Sequence, residues 1–548
     1  MFPAVQSLAR CALRARRPPH RSRPGPEFCR APRAEHTEGR VEIVTSKQRT
    51  SRLQLQCACH TRFLPAVAAI FGVALTYAAM PRLLLITASA PEIRAVRKAR
   101  FLNFQQITMP YLAARVPPGW DVIHIDEEAE PIDCSLEVDV VAITFHTPSA
   151  YHVYDLAMRF RSRGICVAMG GPHVTLLPEE ASRNADVIFI GEAEGLWERF
   201  LSDFVAGSHL RVYQPAGAPS LAGIPMARKS LFHRRDHTGG VLFATRGCPH
   251  RCDFCTIAVM YGQGTRKRPV AEVAAEYASF NGKVIIFWDD NIAGDMEYAK
   301  ELFRAIAPYR KWWSSQASIQ AGRDDAFLEA AARSGCKQLF LGLESISQAS
   351  MSEVKKGFNR VGDYARIIDR IHAHGIAVQA GVVFGFDHDP PEIFEDTLDF
   401  LEETGVQNAT FNILTPFPGT PLFRKLEAEG RILTRDWRRY NSRSEVVYQP
   451  KRMSRAELLA GFRYANGRFY SLRSMAKRLS RSSVQIWWTL PLNLAYGYSW
   501  WKHKQAAVQQ ASPADLAVRD ATSGAGPRFQ TKRFSGLAHP CRSRVSLP

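Results

Sequence analysis

The stretch ATRGCPHRCDFCTIAVMYG, residues 244–262, places Cys248, Cys252 and Cys255 within eight residues of one another. The whole chain of 548 residues has only eleven cysteines, so this density is not an accident of composition. Cys-Pro-His-Arg-Cys is too polar for a core strand. An odd group of thiols cannot pair fully into disulfides. Structural zinc takes four ligands, typically as two separated pairs, and no second Cys-x-x-Cys accompanies this one. His250 would have to serve as a fourth ligand from inside the loop, straining it. Cysteine thiolates also hold iron–sulfur clusters. Three of them on a four-iron cluster leave one iron free to take a substrate or cofactor.

Outward from this loop, strand-like and helix-like segments alternate. Candidate strands are 241–247, 284–290, 313–319, 338–344, 377–385 and 408–414, with amphipathic helical periods between them. This alternation predicts an α/β fold with a parallel sheet. Six units over residues 239–430 predict an open, partial (β/α)6 barrel. Barrel chemistry sits at the C-terminal ends of the strands, and the cysteines directly follow the first one. Polar or glycine residues stand at other strand ends: Asp289 and Asp290, Gln316, Glu344 and Ser345, and Gly385 within GVVFGFDHDPPE (381–392). Asn291 or Asp295 also reads as the ordinary N-cap of a helix. His372 and His374 read as surface residues of a helix.

The chain before the barrel has its own α/β pattern: RLLLITASA (82–90), VDVVAITF (138–145), ICVAMGG (165–171) and ADVIFIG (185–191), with helical segments between. Doubly wound sheets bind ligands outside the carboxyl ends of their strands. Three loops fall there: FHTPSA (145–150), GGPHVT (170–175) and GEAE (191–194). Their glycines allow a large ligand or a phosphate to approach the backbone. A nucleotide is the generic occupant, yet no Gly-x-Gly-x-x-Gly follows the first strand.

The spacing Cys-x3-Cys-x2-Cys, with Phe254 before the last cysteine, resembles the radical S-adenosylmethionine (radical SAM) superfamily. The resemblance implies a [4Fe-4S] cluster on Cys248, Cys252 and Cys255, with S-adenosyl-L-methionine chelated to the open iron and cleaved by one electron to a 5′-deoxyadenosyl radical. It implies Phe254, Asp289, Asp290, Gln316, Glu344, Ser345 and Gly385 as contacts of that cofactor. The loops of the first half, GGPHVT and GE-E above all, resemble the cobalamin-binding domain of cobalamin-dependent radical SAM enzymes, and the likeness runs from residue 80 to about 430. It implies a Rossmann-like domain (80–205) whose cobalamin is lined by Thr144, Ser149, Gly170, Gly171, His173, Thr175, Gly191 and Glu192. The family's classical Asp-x-His-x-x-Gly is missing after the first strand, where ASAPEIRAVRKARFLNF (88–104) has no histidine. The resemblance therefore implies cobalamin without a lower histidine ligand, with His173 as a hydrogen-bonding group. The implied activity is C-methylation of an unactivated carbon with methylcobalamin and the 5′-deoxyadenosyl radical. Two alternatives stand beside it: a cobalamin-dependent cyclase or oxidoreductase without methyl transfer, and a non-enzymatic iron–sulfur or corrinoid-binding protein. The polar strand ends argue against the latter. A flavodoxin- or ferredoxin-type donor would supply the electron.

The rest of the chain bears on partners. Residues 1–79 carry 13 Lys and Arg against 4 Asp and Glu, and 431–504 carry 16 against 3. The formal charge of +19 is therefore peripheral, and nucleic acid is not needed to explain it. Residues 1–79 read as a disordered or targeting extension, or as sequence upstream of a fold beginning at Met80. Within them, 63–79 is an apolar run of 17 residues, at the lower limit for a membrane span. Residues 206–238 read as a linker and 505–548 as a disordered tail. Residues 431–504 read as a small, basic, aromatic α-rich region, either packed on the barrel or suited to a membrane interface. The expected setting is cytoplasmic with peripheral membrane contact, and the expected substrate is a small apolar molecule.

Overall fold

The computed structural model describes residues 80–95, 105–232 and 239–509. The expectations for 1–79 and for the tail beyond 509 lie outside the described residues.

Six parallel strands form the first sheet: β1 (Arg82–Thr87), β2 (Asp121–Asp126), β3 (Val140–Thr144), β4 (Cys166–Gly170), β5 (Val187–Phe189) and β6 (Val212–Tyr213). They lie in the order β2-β1-β3-β4-β5-β6. Both faces are covered, so β1 and β3 read as continuous apolar runs rather than alternating ones. Leu84, Ile86, Val141 and Ile143 pack against Phe160 on one face. Leu83 and Leu85 pack with Trp197 and Phe200 on the other. The strand order reverses between β1 and β3, the switch point at which such sheets take ligands.

The second sheet contains β7 (Gly240–Leu242), β10 (Val284–Phe287), β11 (Trp312–Ala317), β12 (Cys336–Glu344), β13 (Ala377–Phe384) and β14 (Asn408–Ile413). Their spatial order follows their sequence order, with β7 and β14 at the two edges. All neighbouring pairs are parallel. This is the open six-stranded half-barrel that the alternation predicts. A short antiparallel hairpin of β8 (Thr245–Arg246) and β9 (Arg266–Lys267) frames the cysteine loop. The first candidate strand, 241–247, is thus split between β7 and β8.

Three helices, Arg455–Phe469, Leu472–Arg481 and Ile486–Gln509, close the β14 side. Phe469 meets Phe411 at 5.4 Å between ring centroids. The fully buried Arg478 donates to the carbonyls of Val406 and Gln407. His372 is not a surface residue: it is buried and paired with Gln407 Oε1 at 3.1 Å, because its side of the helix packs on the turn before β14.

Candidate active site

The cysteine loop is held by its glycine and by the next strand end. Gly247 has φ +84°, and a Cβ there would meet Gly264 O at 2.5 Å. A side chain would therefore force apart the two arms that β8 and β9 close. Cys252 is buried, and Cys248 and Cys255 are half-buried. Asn291 Nδ2 donates to Cys248 Sγ at 3.6 Å, while its Oδ1 accepts from Ser318 N at 2.8 Å. His250 stacks on Phe358 with 3.7 Å between ring centroids, so the loop's own histidine is otherwise engaged. Among the described residues no three His, Cys, Asp or Glu side chains converge on a single ion. Zinc needs such convergence, with sulfur about 2.3 Å from the metal. A cubane cluster instead offers a separate iron to each thiolate. Burial pushes the Cys252 thiol up to about 12 and that of Cys255 up to about 11. These thiols ionise at neutral pH only when a metal displaces the proton. The donor set therefore fits the cluster.

Sequence reasoning missed Lys356. Its Nζ lies 2.5 Å from Glu344 Oε1 and 5.9 Å from the centre of the Phe254 ring. Burial opposes its charge, but Glu344 outweighs burial and keeps the ammonium protonated above its usual range. Glu344 itself is one of only four non-glycine residues with positive φ among those described, at +63°. It stands where the β12–β13 register shifts. Strained backbone and strand irregularities of this kind gather at functional sites. Gln316 is exposed at the end of β11. Ser345 is buried, and its Oγ accepts from Ser347 N at 3.1 Å. Phe254 meets Phe386 at 6.0 Å between ring centroids.

The expectation for Asp289 needs correction. This carboxylate is fully buried and accepts from Ala244 N at 3.2 Å, Thr245 N at 2.5 Å and Thr245 Oγ1 at 2.6 Å. It fastens the strand before the cysteine loop, and its complete burial keeps it out of the cavity. Asp290 is the one facing the cavity, and it accepts from Gly247 N at 2.8 Å. Gly385 also differs from expectation. A Cβ there would meet Tyr448 Oη at 2.4 Å and Leu458 Cδ2 at 2.7 Å, so its lack of side chain admits Tyr448, whose hydroxyl donates to Gly385 O.

A cavity of about 460 Å³ opens between the strand ends of the two sheets, within the range of ligand pockets. Thr144, Ser149, Gly170, Gly171, Gly191 and Glu192 line it from the first sheet. Arg246, Thr256, Ile257, Met260, Tyr261 and Asp290 line it from the second. It reaches the helix Ile257–Tyr261, directly after Cys255, rather than the thiols themselves. Gly171 has φ +97°, and a Cβ there would meet Thr144 Oγ1 at 2.5 Å. Ser89 also lines the cavity, and its buried hydroxyl has no hydrogen-bond partner among the described residues. A glycine cradle and a free hydroxyl at a switch point fit a large ligand with polar edges, as a corrinoid is. Glu192 is also a brace: Arg246 Nη1 lies 2.6 Å from Glu192 Oε2 and 2.6 Å from Glu194 Oε1, and Arg266 pairs with Glu192 from the other arm of the hairpin.

Two expected lining residues stand behind the wall instead. His173 is fully buried; its Nε2 is 2.9 Å from Tyr154 Oη and its Nδ1 3.3 Å from Thr147 Oγ1. Burial pushes it down to about 4, so it is neutral and structural. Thr175 Oγ1 donates to Gly171 O at 3.0 Å and accepts from Gly191 N at 3.0 Å, tying two glycine loops together.

Residues 242–401 match the radical SAM superfamily, and 420–490 match a domain of unknown function, DUF4070. The chain is 30% identical over 383 residues to the bacteriochlorophyllide d C-12(1)-methyltransferase of Chlorobaculum tepidum, an alignment covering 67% of this chain and 83% of that one. In fold it is similar to the radical SAM methyltransferase TsrM from Kitasatospora setae, solved with cobalamin and a [4Fe-4S] cluster, with a TM-score of 0.53 and 16% identity over 64% of this chain and 75% of that one. It is also similar to the cobalamin-dependent radical SAM enzyme OxsB, with a TM-score of 0.56 and 13% identity over 81% of this chain and 75% of that one. With its three-cysteine loop on a parallel half-barrel and a doubly wound sheet facing it across one cavity, the chain is a radical SAM enzyme of the family that includes the bacteriochlorophyllide d C-12(1)-methyltransferase, and it shares the fold of the cobalamin-dependent radical SAM enzymes.

Proposed function

We propose that this enzyme is a C-methyltransferase acting on a small, largely apolar substrate in the cavity between its two sheets. One observation carries the reading: strand-end loops from both sheets line the same cavity, and its second wall includes Asp290 and the residues directly after Cys255, so a group held by the first sheet stands beside the cysteine loop. When bound, the cluster with S-adenosylmethionine supplies hydrogen-abstracting radical chemistry and the corrinoid supplies a transferable methyl group.

The protein's part is to hold, orient and exclude water. Cys248, Cys252 and Cys255 would hold the cluster. Asn291, donating to Cys248 Sγ, orients one thiolate, and Lys356 places a positive charge beside the others. Asp290, Gln316, Glu344 and Ser345 would hold S-adenosylmethionine, with Asp290 also fixing the turn at Gly247. Gly170, Gly171, Gly191 and Ser89 would hold the corrinoid edge. The Arg246–Glu192–Arg266 brace keeps the two walls in register. Trp288, Met260 and Ile257 give the second wall an apolar surface.

An acidic flavodoxin or ferredoxin suits the basic periphery as electron donor. The helix Ile486–Gln509 suggests where an apolar substrate enters. Trp487, Leu490, Leu494, Tyr498 and Trp501 are all exposed, and their spacing of three and four residues puts them on one helix face. Lys502 directly follows Trp501 in sequence, and such a composition suits an anionic membrane surface. Among the described residues no helix is long and apolar enough to cross a membrane.

Anaerobic reconstitution tests the proposal. The chain should take up about four iron and four sulfide and cleave S-adenosylmethionine to 5′-deoxyadenosine, and the triple change of Cys248, Cys252 and Cys255 to alanine should lose both. Full iron content in the triple variant would refute the site. With a substrate in hand, a product heavier by one methyl group supports methyl transfer, whereas loss of hydrogens alone makes the enzyme a cyclase.

A further inference from the structure

We propose that His146 coordinates the cobalt of the corrinoid from the first-sheet side, in place of the histidine missing after β1. This rests on the cobalamin reading above.

A flat macrocycle lying in the cavity turns one face to each wall. The second wall carries Ile257, Met260 and Trp288 beside Arg246 and Asp290, and its apolar residues suit the face that meets an apolar substrate. The first wall carries His146, the one histidine among the cavity-lining residues. His146 sits directly after β3, between Thr144 and the helical turn Thr147–Ser149, beside the reversal of strand order. Its backbone is extended, with φ −99° and ψ 160°, and its carbonyl accepts from Ser149 N at 2.9 Å. The main chain is therefore fixed while the side chain is exposed to the cavity.

The other histidines around this sheet are engaged. His124 lies 3.3 Å from Thr87 Oγ1 and 3.2 Å from Leu231 O. His152 pairs with Glu127 at 2.8 Å, and His173 is bound by Tyr154 and Thr147. The His146 imidazole has no hydrogen-bond or ion-pair partner among the described residues. A free imidazole on a cavity wall is a donor without an acceptor and a metal ligand without a metal. Serine and threonine hydroxyls on the same wall are far poorer donors to a transition metal.

The test is electron paramagnetic resonance of the full-length chain loaded with cobalamin and reduced to the cobalt(II) state. A coordinating nitrogen splits each cobalt line, into a triplet for nitrogen-14 and a doublet for nitrogen-15. Protein grown on nitrogen-15 histidine should give doublets and unlabelled protein triplets. His146→Ala should lose the splitting while retaining bound cobalamin, and His146→Gln, closer in size, should behave alike. Triplets persisting in the labelled protein would assign the nitrogen to the corrinoid's own base and overturn the proposal. So would lines without nitrogen splitting. A wild-type chain that takes up no cobalamin would overturn the cofactor reading itself, and the proposal with it.

Discussion

Gly171→Ala should damage the cavity in a calculable way. Its backbone, φ +97° and ψ −169°, lies in a region open essentially to glycine alone, and forcing an alanine there costs about 1–3 kcal/mol. The new Cβ would also stand 2.5 Å from Thr144 Oγ1 and 3.3 Å from Phe145 N and O. The last two atoms are backbone of the β3 end and cannot swing aside. Overpacking of this kind costs about 1–3 kcal/mol more, for a total of roughly 2–6 kcal/mol. Two controls separate the contributions. Gly164 has φ +76° and open space around it, so Gly164→Ala should lose about 1 kcal/mol from the backbone alone. Gly217 has open space and no such φ, so Gly217→Ala should stay within about 0.5 kcal/mol of the parent. Urea unfolding midpoints read the stability, and cobalamin retained after gel filtration reads the site. If the loop relaxes by moving, the loss appears in affinity, at about 1.4 kcal/mol per tenfold change. A Gly171→Ala protein matching Gly217→Ala in both assays would refute the cradle.

Asp387 provides a pH test. Burial alone would raise its carboxyl, but Arg431 and Lys451 outweigh burial and hold it well below the usual range. Its contribution is therefore present at neutral pH and fades as pH falls below the unfolded value near 4. Asp387→Asn should cost about 2 kcal/mol at pH 7 and progressively less toward pH 3; a loss independent of pH would show that the charge is not the cause. For the exposed helix face, Trp487→Ser with Trp501→Ser should abolish sedimentation with phosphatidylglycerol vesicles while leaving iron uptake intact. Equal sedimentation of parent and variant, or with purely zwitterionic vesicles, would count against an anionic membrane surface.

The central strands of both sheets were legible because burial on both faces makes them continuous apolar runs. β2, DVIHID, escaped notice because an edge strand, half exposed along its first residues, carries polar side chains that break the run. The cysteine loop declared itself by spacing alone. Asp289 and Asp290 are adjacent and chemically identical, and only the fold shows that the first bonds the main chain of β7–β8 while the second faces the cavity. Lys356 has no spacing relation to the cysteines; the bulge after Gly342 and the tight turn near Phe358 bring it there. His146 drew no attention because the sought histidine belongs after β1, whereas this one follows β3. The two strands are neighbours only through the reversed sheet order.

The most direct measurement is anomalous scattering from crystals of the anaerobically reconstituted chain, with data at the cobalt and iron edges. Cobalt should peak inside the cavity, between Gly171 and Met260, and iron at Cys248, Cys252 and Cys255, with nothing but ligand space between them. Cobalt outside this cavity, or walled off from the iron by protein, would contradict methyl transfer across a shared site.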